Sequence, residues 1–110
     1  MSPPQEPPRI GLSIPLFDEE EVVQSMVEEL VTALRRDAIP FALALVNNGS
    51  QDQTGTIVDS LAQSPQILAI HLKSNAGYGG GILAGLEALE AQYQPEILGW
   101  CWGDGQVDPN

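Results

Sequence analysis

Apolar positions along the chain follow two alternating rhythms. Short, largely apolar runs occupy residues 9–16 (RIGLSIPL), 41–46 (FALALV, continuous), 67–72 (ILAIHL) and 97–102 (ILGWCW). All four read as strands, and the continuous run at 41–46 is what a strand buried on both faces of a parallel sheet requires. Pro15 is expected at the end of the first strand, where the ladder needs no donor. Between the runs the spacing becomes helical. Val22, Val23, Met26, Val27, Leu30, Val31 and Leu34 fall on one face of a first helix. Its start is expected at Asp18, with Glu21 three residues on as a capping box and Glu19 and Glu20 in the first turn. Arg35 and Arg36 suit its C-terminus, and Pro40 prevents its continuation. After a polar turn at 47–54, Ile57, Val58, Leu61 and Ala62 mark a second helix. After a glycine-rich turn at 75–81, Ile82, Leu83, Leu86 and Leu89 mark the buried face of a third.

The resulting order, βαβαβαβ, predicts an α/β fold: a mainly parallel sheet with helices on both faces, Rossmann-like in layout. Ligands of such sheets bind beyond the carboxyl ends of the strands. At 110 residues the chain is sized for one domain, expected over 9–110. Residues 1–8 are Pro-rich and lack both a basic n-region and an apolar h-region, so a disordered lead-in is expected rather than a signal peptide. No apolar run approaches the roughly 20 residues of a membrane span. A cytoplasmic location is the default expectation.

Charge narrows the ligand chemistry. The net charge of −11, from four basic and fifteen acidic residues, argues against nucleic acid and against electrostatic docking on an anionic membrane. A phosphate-bearing ligand must then be held by backbone N–H groups, a helix N-terminus or a metal ion. Cys101 is the single cysteine, which excludes an internal disulfide and a Cys-rich zinc site. Flanked by Trp100 and Trp102, it reads as packing rather than as a nucleophile. His71 stands in an apolar strand and reads as a packed or edge histidine.

Chemistry concentrates in four loops at strand ends: 15–20 (PLFDEE), 47–54 (NNGSQDQT), 75–85 (NAGYGGGILAG) and 103–110 (GDGQVDPN). Asn47 and Asn48 offer paired amide donors and acceptors suited to a nucleobase edge. Gly49 permits a turn and a close ligand approach, and Ser50 is placed to cap the next helix. Gly79, Gly80 and Gly81 strip side chains from the entry to a helix whose N–H groups face outward. Asp104, Gln106 and Asp108 carry hard oxygen donors of the kind Mg²⁺ or Mn²⁺ accepts. Each loop also has a plainer account. Asn-Asn-Gly-Ser is an ordinary turn composition, glycines serve close helix–sheet packing, and Asp104 and Asp108 suit a solvated turn.

In this order and spacing, the set resembles the N-terminal half of family 2 glycosyltransferases of the GT-A fold. The branch of dolichyl-phosphate mannosyltransferase-like and polyprenyl-phosphate glycosyltransferases is the most similar. That family places Pro-x-x-Asn-Glu after one strand and Asp-Asp-Gly-Ser-x-Asp-x-Thr after the next. An Asn-x-Gly-rich turn follows, then Asp-x-Asp-x-Gln-x-x-Pro. Here the corresponding segments read IPLFDEE, LVNNGSQDQTG, SNAGYGGGILAGL and WCWGDGQVDP, spread over nearly all of residues 9–110.

The resemblance implies a nucleotide-binding set of Pro15, Asp18, Glu19, Asn47, Asn48, Gly49, Ser50, Asn75, Gly77 and Gly79. Within it, Asn47 takes the position whose acid contacts the nucleobase. It further implies that Asp104, the second acid of the metal motif, holds Mg²⁺ or Mn²⁺ against the diphosphate, with Gln106 following. The implied partners are a nucleotide-diphosphate sugar and a polyprenyl-phosphate or saccharide acceptor, with peripheral membrane contact through the acceptor. Three departures stand out. Asn47 and Asn48 replace an acid pair, Trp102 replaces the first metal-motif acid, and the family's catalytic base and acceptor elements lie beyond the matched half. The chain is therefore expected to be incomplete for catalysis, and the outer edge of its last strand exposed for pairing in an oligomer. A non-catalytic nucleotide-binding module is the alternative. A relaxed dinucleotide fingerprint, Gly79-x-Gly81-x-x-Ala84, belongs on an opening βα unit, whereas two such units precede it here.

Overall fold

The computed structural model describes residues 8–101. Strands β1 (Ile10–Leu16), β2 (Phe41–Asn48), β3 (Ile67–Leu72) and β4 (Ile97–Trp100) alternate with helices α1 (Val23–Arg36), α2 (Thr54–Leu61) and α3 (Gly77–Gln92). The sheet runs β3-β2-β1-β4 with every neighbour parallel. The chain steps outward from β1 to β3 and then returns across the sheet to β4. That reversal makes β1 the switch point, and its carboxyl end opens onto the crevice where such sheets bind ligands. Among the described residues no helix is long and apolar enough to cross a membrane.

Strand periodicity sorts the side chains by size. Leu12, Ile14 and Leu16 of β1 and Phe41, Leu43 and Leu45 of β2 point to one face, where Val23, Val27 and Leu34 of α1 and Val58 of α2 meet them. On the other face the central positions are small: Ala42 and Ala44 pack with Leu89 of α3, flanked by Leu68 and Ile70 of β3. Ser13 on that face is fully buried, and its hydroxyl donates to the Ile82 carbonyl at 2.9 Å. A Cβ at Gly85 would collide with the Ser13 hydroxyl and sit 3.0 Å from Val46 Cγ2. One at Gly81 would fall 2.9 Å from Asn48 Nδ2. α3 thus lies on the sheet through its backbone, which only glycine at these positions allows.

Pro15 sits where the ladder tolerates it. Ser13 accepts a hydrogen bond from the Cys101 N–H, so alternate residues of β1 face β4. The missing N–H of Pro15 lies on that same side, past the last β1–β4 pair, Ser13↔Trp100.

Four local expectations are corrected. α1 starts at Val23 without a side-chain cap, and no acid occupies its first turn. Asp18 instead takes a left-handed φ of 51°, and its carboxylate reaches the next loop. The capping box gives way to tertiary hydrogen bonds. α3 starts at Gly77, so the glycine run is helical rather than a turn before the helix. Its buried stripe is Gly81, Gly85 and Leu89, while Leu83 is 56% exposed. β2 runs on to Asn48, which makes Asn47 and Asn48 strand residues, and within the described residues β4 ends at Trp100. Ile97, Leu98 and Trp100 of β4 are exposed along that edge. Of the Pro-rich lead-in, residues 1–7 lie outside the described residues, and Pro8 is buried.

Candidate nucleotide site

Two loops at the carboxyl ends of β1 and β2 are stitched together, each supplying acceptors for the other's N–H groups. The Ser50 hydroxyl accepts from the Asp18 N–H at 3.0 Å and donates to the Leu16 carbonyl at 3.5 Å. The Asp18 carboxylate accepts from the Gln51 N–H at 2.8 Å, and that of Glu20 from the Gln53 N–H at 3.1 Å. Thr54, fully buried, accepts from the Glu19 N–H at 2.8 Å and donates to Asp52 at 2.5 Å. Ser50 therefore bridges the loops and does not cap α2. The Thr54 N–H is met by Asp52 at 2.9 Å instead. Desolvation pushes the Asp52 carboxyl upward, but bonds from the Thr54 hydroxyl and N–H and from Glu20 outweigh it and hold the group below the ordinary aspartate value. Asp18, Glu19, Glu20, Glu21 and Asp52 line a shallow acidic depression of about 370 Å³ on this side.

A third loop, between β3 and α3, is clamped to the second. The Asn48 carboxamide accepts from the Ala76 N–H at 2.9 Å and donates to the Gly77 carbonyl at 3.0 Å. Gly49 has a φ of +78°, and a Cβ there would lie 2.5 Å from the Asn75 nitrogen, so two independent constraints select glycine. Asn75 accepts from the Gly77 N–H at 2.7 Å, closing a local turn ahead of α3. Around Gly77 and Gly79 there is open space, and the first turn of α3 stands beside it.

Asn47 is the centre of the arrangement. Its Oδ1 accepts from the Ser50 N–H at 3.1 Å, and its Nδ2 lies 3.1 Å from His71 Nδ1. Asn47 and His71 are register partners on β2 and β3. The far ring nitrogen, Nε2, is 2.7 Å from Asp59 Oδ1 of α2. Gly55 leaves the room: a Cβ there would sit 2.7 Å from Asn47 Nδ2. Of the expected set, Asn47, Asn48, Gly49, Ser50, Asn75 and Gly77 meet through these contacts, with Asp18 and Glu19 tied to the same loops. Pro15 lines the seat of α3 beside Gly81, and Gly79 faces open space. His71, Asp59 and Gly55 are additions that sequence reasoning missed.

The expected metal residues, Asp104 and Gln106, and their neighbour Asp108 lie outside the described residues. Among the described residues no group of three or more His, Cys, Asp or Glu side chains could hold a metal ion. Cys101 packs against the larger core, and burial raises its thiol above the ordinary value, leaving it protonated at neutral pH.

Residues 12–110 match the family model for glycosyl transferase family 2. The chain belongs to glycosyl transferase family 2. Similar proteins include the undecaprenyl-phosphate 4-deoxy-4-formamido-L-arabinose transferases of Pectobacterium atrosepticum and Photorhabdus laumondii. The first is 30% identical over 80 residues, covering 71% of this chain and 24% of that protein. The second is 32% identical over 83 residues, covering 74% and 26%. Among solved structures, S. aureus TarS 1-349 in complex with UDP superposes with a TM-score of 0.67 at 22% identity, over 87% of this chain and 27% of that one. The fold is therefore that of the GT-A glycosyltransferases. This chain spans about a quarter of the length of the relatives it matches. Family membership also sets aside the dinucleotide fingerprint, whose glycines lie within α3, after the third strand.

Proposed function

We propose that this chain forms the nucleotide-binding part of a glycosyltransferase that transfers a sugar from a nucleoside diphosphate to a polyprenyl-phosphate or saccharide acceptor. The observation that carries this reading is Asn47. Its carboxamide is held at the carboxyl end of β2 by the Ser50 N–H and His71, with hydrogen-bonding capacity left over for a base. The acidic depression beside α1 would repel a diphosphate, whereas the first turn of α3, where Gly79 carries no side chain and borders open space, offers N–H donors. The base therefore belongs at Asn47 and the phosphates towards Gly77 and Gly79. Asp104 and Gln106 carry oxygen donors suited to Mg²⁺ or Mn²⁺, which when bound would neutralise charge on the departing diphosphate.

A polyprenyl-phosphate acceptor is supported by the relatives' names, which specify undecaprenyl phosphate, and UDP is the nucleotide to test first because the TarS structure is a UDP complex. Such an acceptor would bring the protein to the cytoplasmic membrane surface peripherally. Titration with UDP or GDP in the presence of Mn²⁺ should shift amide resonances of the Asn47 and Asp104 loops. No shift at millimolar nucleotide would sink the proposal. A second reading, a nucleotide-binding module without transfer activity, is favoured by Trp102 standing where the family has its first metal acid. It requires UDP binding that ignores Mn²⁺, and sugar transfer or sugar-nucleotide hydrolysis by the purified chain eliminates it.

A further inference from the structure

We propose that His71 and Asp59 are positioning residues that orient the Asn47 carboxamide for the nucleobase, coupling nucleotide affinity to the protonation of His71. This rests on the nucleotide-binding reading above. One atom of the Asn47 carboxamide has a fixed role. A backbone N–H can only donate, so the Asn47 atom 3.1 Å from the Ser50 nitrogen must be the carbonyl oxygen. The amide nitrogen is then the atom facing His71 Nδ1 at 3.1 Å. Amide nitrogens donate and never accept, so Nδ1 must carry a lone pair and the ring proton must sit on Nε2. From there it donates to Asp59 Oδ1 at 2.7 Å. One backbone donor thus dictates every direction in the chain Ser50, Asn47, His71, Asp59.

Protonating His71 breaks this order. With both ring nitrogens bearing hydrogen, Nδ1–H would face the Asn47 N–H groups, donor against donor. Turning the amide over would relieve that clash and create another at the Ser50 N–H. It would also exchange donor for acceptor at the base. Swinging the ring away would give up Asp59. The groups facing the ring are the charged Asp59 on α2 and the uncharged Asn47 on β2, and Lys73 follows just after β3. Imidazole changes charge between about pH 5 and 8. The nucleotide is expected to bind best to neutral His71, and by linkage its binding should oppose protonation of the ring.

The sequence contains a single histidine, so its ring signals report without assignment. Long-range ¹H–¹⁵N spectra of the free chain at pH 8 should show hydrogen on Nε2, and saturating UDP should move the ring's titration to lower pH. The affinity for UDP, divided by that of His71→Asn at each pH, should fall roughly five- to tenfold between pH 8 and pH 5.5, about one hydrogen bond. That ratio cancels the changing charge of the phosphate. His71→Asn keeps an acceptor near Nδ1 and cannot titrate, so it should restore most of the affinity that His71→Phe loses at pH 8. Circular dichroism of each variant checks folding. Hydrogen on Nδ1, a constant ratio, or equal losses in the two variants overturns the positioning role while nucleotide binding stands. Absence of UDP binding at either pH overturns both.

Discussion

The two faces of the sheet use opposite means to hold their helices. Towards α1 and α2 the strands present Leu, Ile and Phe, and the interface is filled by volume. Towards α3 the central strands present mostly small residues, Ser13, Ala42 and Ala44 beside Val46, and the helix answers with Gly81 and Gly85, so the interface is set by distance. The first face stabilises the domain. The second seats α3 close against the sheet, with Gly81 beside the Asn48 carboxamide, and the proposed phosphate end of the site depends on that placement. Tolerance should therefore differ: the bulky face loses stability in proportion to volume removed, whereas the narrow face resists any volume added.

The largest effect should come from the bulky face. Leu45→Ala, at a fully buried position, is expected to lose about 2–5 kcal/mol in denaturant unfolding without altering the loop resonances around Asn48. Next comes the narrow face. Gly85→Ala forces a methyl group onto the Ser13 hydroxyl and should cost about 1–3 kcal/mol. Ser13→Gly should recover much of that loss in a double-mutant cycle, and additivity of the two changes would show that the faces do not differ in the way described. Gly79→Ala sharpens the contrast. It meets open space in a helical turn, so it should gain about 0.5–1 kcal/mol while weakening UDP binding. The smallest effect concerns Asp52. Its carboxyl is held low, so its stabilisation is present above the ordinary aspartate range and is lost as pH falls through the lowered folded value. The stability difference between the wild type and Asp52→Asn should accordingly shrink below about pH 4.

Much of this was legible because hydrophobic rhythm reports burial. The strand runs at 41–46 and 67–72 and the apolar face of α1 match the structure closely, and the parallel sheet follows from their alternation. What failed had a common cause, competition from distant partners. Asp18 and Glu21 have capping-box spacing, yet Asp18 is taken by Gln51, 33 residues away. Leucine spacing in α3 marks Leu83 as buried, but glycines, which carry no hydrophobic signal, make the contact. In the site, Asn47, Gly49 and Ser50 stood out by composition. His71 did not, because its role depends on register with Asn47, which a single strand's sequence does not reveal. A polar residue near the end of an otherwise apolar strand was the signal available.

The reciprocal stitching of the loops after β1 and β2 has a consequence for protein engineering. Side-chain oxygens of each loop satisfy main-chain donors of the other, as with Asp18 and Gln51, or Thr54 and Glu19. Neither loop is a transplantable part. A chimera that imports one from a relative inherits N–H groups whose acceptors stayed behind, so the smallest exchangeable cassette is the pair, carried together with Thr54 at the head of α2.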